Sequence, residues 1–567
     1  MVSISLFVEL LRTRPRLLFW TMAVLQVVPW TLVPMLVYSA PPGQLPLVLA
    51  IGHEFQVGTE YGPPLAFWLA EIAFRAGGMF GVYLLSQLCI IVTYWAVLAL
   101  GRAIVGETHA VIAVLLMAGV AVFSVPTPEF GPAILATPLW ALLLFHFWRA
   151  VQGGDLRFWL AVGLESGLLL LTTYAGLILI GLIVLYLLSS AFGRTQLETI
   201  GPWLAGIVAT VVLFPFLIWV DQSGGTRLLG LAAIVLNLRA WGWLVAALLI
   251  SHVGMVVLIV LGGGFVIASR GPSPEVRRAP ADPAARLYVY FFALAPIVAM
   301  GLFALFSRRP ENFMAAPLVV MSGLAVIVAA GDRVMIGHQY LIGYAWVALL
   351  LLPPLLVVLA LVTQGWTVAL DLRVGRPAAD LGQFFGDSFA RRTGRPLAVV
   401  AGDQPLAALV ALAAPSRPSL YLGSAPEYLP RVTKQDIEEK GAVVVWPAAD
   451  SAGHPPPEIL TQFPELVTEV PATFTRRYQG RMPLMRIGWG MIRPRGQAGS
   501  PEVSPPSQPE PDLLPQPLPL PEPRVQPQPQ PQAAPPPQSL PPPPQLPAPA
   551  PQNPRPPLPV PDRHRPQ

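Results

Sequence analysis

Apolar runs of about twenty residues recur through the first 365 positions, with charges confined to the gaps between them. A helix rises about 1.5 Å per residue and the hydrocarbon core of a bilayer is about 30 Å thick, so each run matches one crossing. Inside hydrocarbon every backbone amide must be paired within its own segment, which a helix achieves. About eleven runs qualify: 17–39, 79–100, 110–125, 132–148, 158–174, 176–192, 203–220, 241–268, 287–306, 313–330 and 339–362. The fold expected is an α-helical polytopic membrane protein. Charged residues make up 12% of the chain, against about 25% in soluble proteins.

Arg12, Arg14 and Arg16 precede the first run. That run is longer than a signal peptide's apolar region, so it reads as a retained span. Arginine placement orients the rest. With a cytoplasmic N-terminus, inner loops carry Arg102, Arg149, Arg157, Arg194, Arg270, Arg277, Arg278, Arg286 and Arg333. Outer loops carry chiefly Arg75, Arg227, Arg239, Arg308 and Arg309, and everything after the last span falls outside the cytoplasm. Two outer segments exceed simple connectors. The stretch 64–76 is helix-like, too short to cross and charged at Glu71 and Arg75, so it suits the interface. A second apolar patch, 228–238, suits the same position.

Three regions follow: a transmembrane part over 1–365, a soluble part over 366–495 and a tail over 496–567. In the soluble part, strand patterns at 396–400, 419–422 and 442–446 alternate with helical patterns at 406–414 and 434–440, which predicts a small α/β domain. The tail holds 29 of the 67 prolines and cannot bury enough apolar surface to fold, so an extended disordered segment is expected. The net charge of +5 is almost all arginine. No basic stripe interleaved with aromatics accompanies it, so nucleic acid is not an expected partner; the bilayer is. The single cysteine, Cys89, lies inside a span and rules out a disulfide framework.

Ionisable groups at membrane depth would mark an ion-coupled transporter. Glu165 is the main candidate, and its neighbours Ser166 and Gly167 equally suit quiet pairing with another helix. Polar residues concentrate instead in the first outer loop, as Gly52-His53-Glu54-Phe55-Gln56 and Thr59-Glu60-Tyr61-Gly62-Pro63-Pro64. A carboxylate just outside the membrane, beside an interfacial helix, can serve as general base toward a lipid-borne substrate. A solvated loop with a Pro-Pro turn would look the same. No spacing marks a metal site; His53-Glu54 is at best a pair, so no cofactor is expected and a divalent metal has no support.

Three segments resemble the dolichyl-phosphate-mannose–protein mannosyltransferase superfamily, particularly its bacterial branch similar to lipid A aminoarabinose transferases. His53-Glu54 stands where that family has an Asp-Glu pair, and Tyr61-Gly62-Pro63-Pro64-Leu65 where it has Asp-His-Pro-Pro-Leu. Trp148-Arg149-Ala150 leads on to Leu170-Leu171-Thr172-Thr173-Tyr174, similar to the family's Leu-Thr-Lys-Tyr. Pro310-Glu311-Asn312-Phe313-Met314-Ala315-Ala316-Pro317 resembles its Asn-Trp-Pro-Ala-Pro segment.

The resemblance implies a membrane glycosyltransferase of the GT-C type, moving a sugar from a polyprenyl-phosphate donor to an envelope glycolipid or protein on the periplasmic face of a bacterial inner membrane. Glu54, Glu60 or His53 would take the acceptor's proton. Arg75, Tyr61, Arg308, Arg309 and Asn312 would bind substrate, arginine being suited to phosphate. His53, Tyr61 and Thr173 depart from the family's residues, which keeps open a non-catalytic subunit of envelope assembly as the alternative.

Overall fold

A computed structural model describes residues 5–495, apart from 126–127, 224–235, 264–274, 307–315, 364–371, 426–427, 449 and 451. Helices dominate, and every predicted span contains helix among the described residues, with breaks such as those at 118–120, 171–174 and 320–321. Among the described residues, seven helices are long and apolar enough to cross a membrane: Pro15–Val37, Leu65–Val105, Pro132–Gly153, Gly201–Gln222, Leu238–Leu261, Pro283–Phe306 and Gln339–Thr363. Gly176–Ser189 with Ala191–Leu197, bent by 98°, makes an eighth if the pair is one span. The remaining predicted runs are shorter helices: Glu107–Met117, Leu156–Leu170 and Ser322–Ala329.

The predicted interfacial stretch and the second span form one 41-residue helix broken at Gly77-Gly78. Gly78 adopts φ 59°, ψ −149°, a region that a Cβ forbids, so glycine lets the chain turn from the interface into the membrane. Within the bundle, apolar helices gain nothing from leaving lipid for one another and associate through close packing. Gly163 and Gly167 supply it for Leu156–Leu170. A Cβ at Gly163 would lie 2.5 Å from the carbonyl oxygen of Ala205, and one at Gly167 would lie 2.7 Å from Val212. Between these glycines sits Glu165, buried, with Oε1 2.6 Å from His146 Nδ1 on Pro132–Gly153. The membrane-depth carboxylate is thus paired helix to helix.

After the last span comes a three-layer domain. Its sheet runs β4 (Ser419–Leu420), β3 (Val399–Gly402), β5 (Ala442–Pro447), β7 (Met485–Ile492), β6 (Val467–Phe474). The first three strands are parallel, and β7 pairs antiparallel with both β5 and β6. Helices Ala378–Thr393 and Gln404–Ala413 cover one face, through Phe385, Phe389 and Leu409. Lys434–Lys440 and Pro457–Gln462 cover the other, through Ile437 and Ile459. A further two-stranded ladder, β1 (Glu275–Arg277) with β2 (Arg333–Met335), joins two loops of the membrane part.

This domain shares its core with the first outer loop: Ala40 and Ala50 are buried in the same cluster as Phe385 and Val443. In return, Leu412 and Tyr428 belong to the membrane part's cluster. Contacts between loops sort into two groups. Arg16 pairs with Glu107, and Arg12 donates to the Glu275 carbonyl, so the N-terminus lies with the loops predicted to face inward. Ser39 and Ala40 donate to the Val374 carbonyl, and Arg477 to that of Leu36. The sheet domain therefore lies with the loops predicted to face outward.

Candidate functional site

The first outer loop begins as helix Leu45–His53 and stops at Glu54. Phe55 follows at φ 48°, a conformation that costs a non-glycine residue energy and is held by its surroundings. Thr59 and Gly62 bridge to each other, closing a small turn. The Pro63-Pro64 step opens helix Leu65–Val105, whose first amide donates to the Leu171 carbonyl at 2.9 Å. The Tyr61–Leu65 and Leu170–Tyr174 segments, read in the sequence as parts of one pattern, therefore meet in space.

Each carboxylate of the loop and the helix after it is engaged by the sheet domain. Glu54 Oε1 accepts from the Ser419 hydroxyl, and its Oε2 lies 2.9 Å from Arg431 Nε. Glu60 accepts from Ser424 at 2.9 Å. Tyr61 Oη accepts from Gln404 at 2.5 Å. Burial, reinforced by the adjacent Glu60, pushes the Tyr61 phenol up to about 12. Glu71, 2% exposed, accepts from Arg75 at 2.9 Å and from Arg417 at 2.8 Å, with His53 Nδ1 at 3.2 Å. Arg417 also lies over the Phe74 ring at 4.6 Å, and Arg75 over Phe55 at 4.9 Å. Burial works against the Arg417 charge, and Glu71 works for it.

Two environments result. His53, Arg75 and Arg417 gather around the buried Glu71 carboxylate. Glu54 borders an open cleft of about 730 Å³, walled by Gln56, Trp219, Ser419, Arg431 and Lys440 among others. A carboxylate on such a wall can accept a proton from a bound hydroxyl, and the cations beside it can hold an anion. Arg308, Arg309 and Asn312 lie outside the described residues. Among the described residues no three His, Cys, Asp or Glu side chains converge to hold a metal ion.

Ser419, Arg431, Gln404, Ser424 and Arg417 were not anticipated. Each stands more than 340 positions from its loop partner, and no local pattern marks it.

Residues 61–219 match the family model described as dolichyl-phosphate-mannose-protein mannosyltransferase. ArnT from Cupriavidus metallidurans, solved bound to undecaprenyl phosphate, shares the fold with a TM-score of 0.54 at 14% identity, over 84% of this chain and 97% of that one. Over residues 61–219 the chain is similar to the dolichyl-phosphate-mannose-protein mannosyltransferase family, and the likeness to ArnT shows a shared fold. The same ArnT in the apo state aligns over equal shares with a TM-score of 0.45 at 14% identity. The archaeal oligosaccharyltransferase AglB from Archaeoglobus fulgidus, in complex with an inhibitory peptide and a dolichol-phosphate, gives 0.39 at 14% identity, over 73% of this chain and 65% of that one. No curated protein matches the chain in a direct comparison. The superfamily match opens at Tyr61 and takes in Leu170–Tyr174; Glu54 stands seven positions before it.

Proposed function

We propose that the protein transfers a sugar from a polyprenyl-phosphate-linked donor to an envelope acceptor, a glycolipid or a protein, with Glu54 as general base. One observation carries the reading: Glu54 lines the cleft between the first loop and the sheet domain, beside Arg431 and Lys440. The donor's prenyl chain would stay in the bilayer and raise its phosphate to headgroup level, where this cleft opens. The acceptor hydroxyl would give its proton to Glu54 as its oxygen attacks the anomeric carbon. Glu60 and Tyr61, each bonded to the sheet domain, would hold the loop in place.

The cleft would face the periplasm of a bacterial inner membrane, with the N-terminus in the cytoplasm. Loop arginines support that orientation, and so does the sorting of loop contacts into two groups. Reporter fusions after Arg102 and Arg194 should read cytoplasmic, and fusions within 400–490 periplasmic. A cytoplasmic signal from 400–490 would reverse the topology and move the chemistry to the other leaflet.

The transfer itself is tested by mass spectrometry of envelope glycolipids and glycoproteins from deletion and wild-type cells. A sugar adduct absent from the deletion strain should return with the wild-type gene and not with Glu54→Gln. One observation favours a second reading, a non-catalytic assembly subunit: both Glu54 oxygens are already engaged, by Ser419 and Arg431. Identical adducts in deletion and wild-type cells would select it.

A further inference from the structure

We propose that Arg431, carried by the sheet domain, grips the donor's phosphate, so that one guanidinium ties the proton-accepting carboxylate to the leaving group. The inference rests on the transfer reading above and assigns the phosphate-binding group of that site.

Arg431 and Glu54 line the same cleft. Of the Arg431 guanidinium only Nε is spent, on Glu54 Oε2, and the side chain is 65% exposed. Its two terminal nitrogens have no partner among the described residues. Arg75 and Arg417 each give one nitrogen to Glu71, and neither lines the cleft. Lys440 lines the cleft too, 54% exposed and 2.7 Å from Asp436, and adds a second positive charge.

A guanidinium presents five N–H donors in a rigid fork, so one edge can hold a carboxylate while the other receives a phosphate through two bonds. That arrangement places base and phosphate within the width of one side chain. Bond changes then balance across it. The acceptor O–H proton passes to Glu54, the acceptor oxygen forms its bond to the anomeric carbon, and the bond from that carbon to the phosphate oxygen breaks. The electron pair stays on the phosphate, which goes from a singly charged diester to a monoester with a second negative charge. As Glu54 is neutralised its hold on Arg431 weakens, and the guanidinium turns its full charge to the leaving group. Negative charge crosses from one edge of the arginine to the other. The sheet domain is thereby half of the catalytic site.

Binding of undecaprenyl phosphate, without a sugar, to the detergent-solubilised full-length chain separates this proposal from the transfer reading. Losing a bidentate charged contact is expected to weaken binding about ten- to hundredfold in Arg431→Gln. Arg431→Lys, which keeps the charge and loses the fork, should fall between that variant and wild type, and it guards against misfolding of the first. Glu54→Gln should still bind. Arg392→Gln removes the same charge from the pair with Glu469 on β6, and should bind like wild type. Wild-type affinity in Arg431→Gln would place the phosphate elsewhere and leave the transfer reading standing. Equal losses in Arg431→Gln and Arg392→Gln would reduce the effect to overall charge and overturn the proposal. A wild-type chain that does not bind the probe would remove both.

Discussion

Glu54 and Glu71 are carboxylates of the same outer segment, each meeting an arginine of the same sheet domain, yet their surroundings differ in kind. Glu71 is 2% exposed and Arg417 19%, and the carboxylate is saturated by Arg75, Arg417 and His53. Glu54 is 12% exposed, and its arginine keeps 65% of its side chain in solvent beside an open cleft. A buried carboxylate with three cationic or imidazole partners has no free edge for a substrate and serves to fix geometry. An ion pair on a cleft wall has donors to offer and a partner that can leave. The first is a clamp that sets the distance between loop and domain, and the second is where chemistry fits.

Replacing each carboxylate should therefore break different things. Glu54→Gln keeps the shape and removes the proposed base, so the proposed sugar transfer should fall roughly 10²–10⁴-fold while membrane insertion and melting temperature stay at wild-type values. Near-wild-type turnover in this variant would move the base elsewhere, with Glu60 the next carboxylate to replace. Glu71→Ala should act the other way. Breaking a buried ion pair costs about 3–5 kcal/mol when the remaining charge stays buried. Arg75 is 56% exposed and stays hydrated, so the loss should be nearer 2–3 kcal/mol, on the same scale. It should appear as faster limited proteolysis between residues 372 and 495. A Glu71→Ala protein as protease-resistant as wild type, yet inactive, would make Glu71 part of the chemistry and dissolve the contrast.

Glu60 sharpens it from the middle ground. One neutral-donor contact, from Ser424, ties it to the sheet domain. Glu60→Gln can keep an oxygen in place to accept that bond. Stability should change by less than about 1 kcal/mol, and transfer should drop far less than in Glu54→Gln. Equal losses of transfer in the two variants would mean that the loop carboxylates act as one unit.

How much of this was legible in the sequence differs by region, for physical reasons. Membrane helices announce themselves because hydrocarbon tolerates little else, so each run of apolar residues contains helix among the described residues. Their lengths were less legible: 110–125 folds as Glu107–Met117 and Ala121–Ser124, since buried contacts, not bilayer thickness, set where those helices stop. In the sheet domain, Lys434–Lys440 and the β5 run carry local signals and stand where expected. Strands β6 and β7 do not. Pro471 interrupts β6 at a register shift and is tolerated because β6 is an edge strand, while Gly488 and Gly490 dilute β7. The candidate site was half legible. Glu54, Glu60 and Tyr61 stand out as polar residues beside an interfacial helix, but Ser419, Ser424 and Gln404 reach them across 343 to 365 positions.

Tyr61 offers the finest test of the contact between loop and domain. Its phenol is neutral below its pKa, and burial with Glu60 alongside raises that value from the usual 10 to about 12. The folded protein therefore holds this proton more tightly than the unfolded chain does. The stability it contributes is fully present below about pH 10 and is lost as pH climbs through about 12. Tyr61→Phe keeps the ring and removes both the titrating group and the Gln404 bond. Below pH 10 it should cost about 0.5–1.5 kcal/mol, seen as modestly faster proteolysis of the sheet domain. Between pH 10 and 12 the wild-type rate should rise toward that of the variant, because the advantage of the phenol is titrated away. Parallel rate curves across that window would mean that the phenol is solvated. The docking would then rest on the Glu71–Arg417 clamp, the contacts of Glu54 and Glu60 and the shared core around Ala40 and Ala50, with no share from Tyr61.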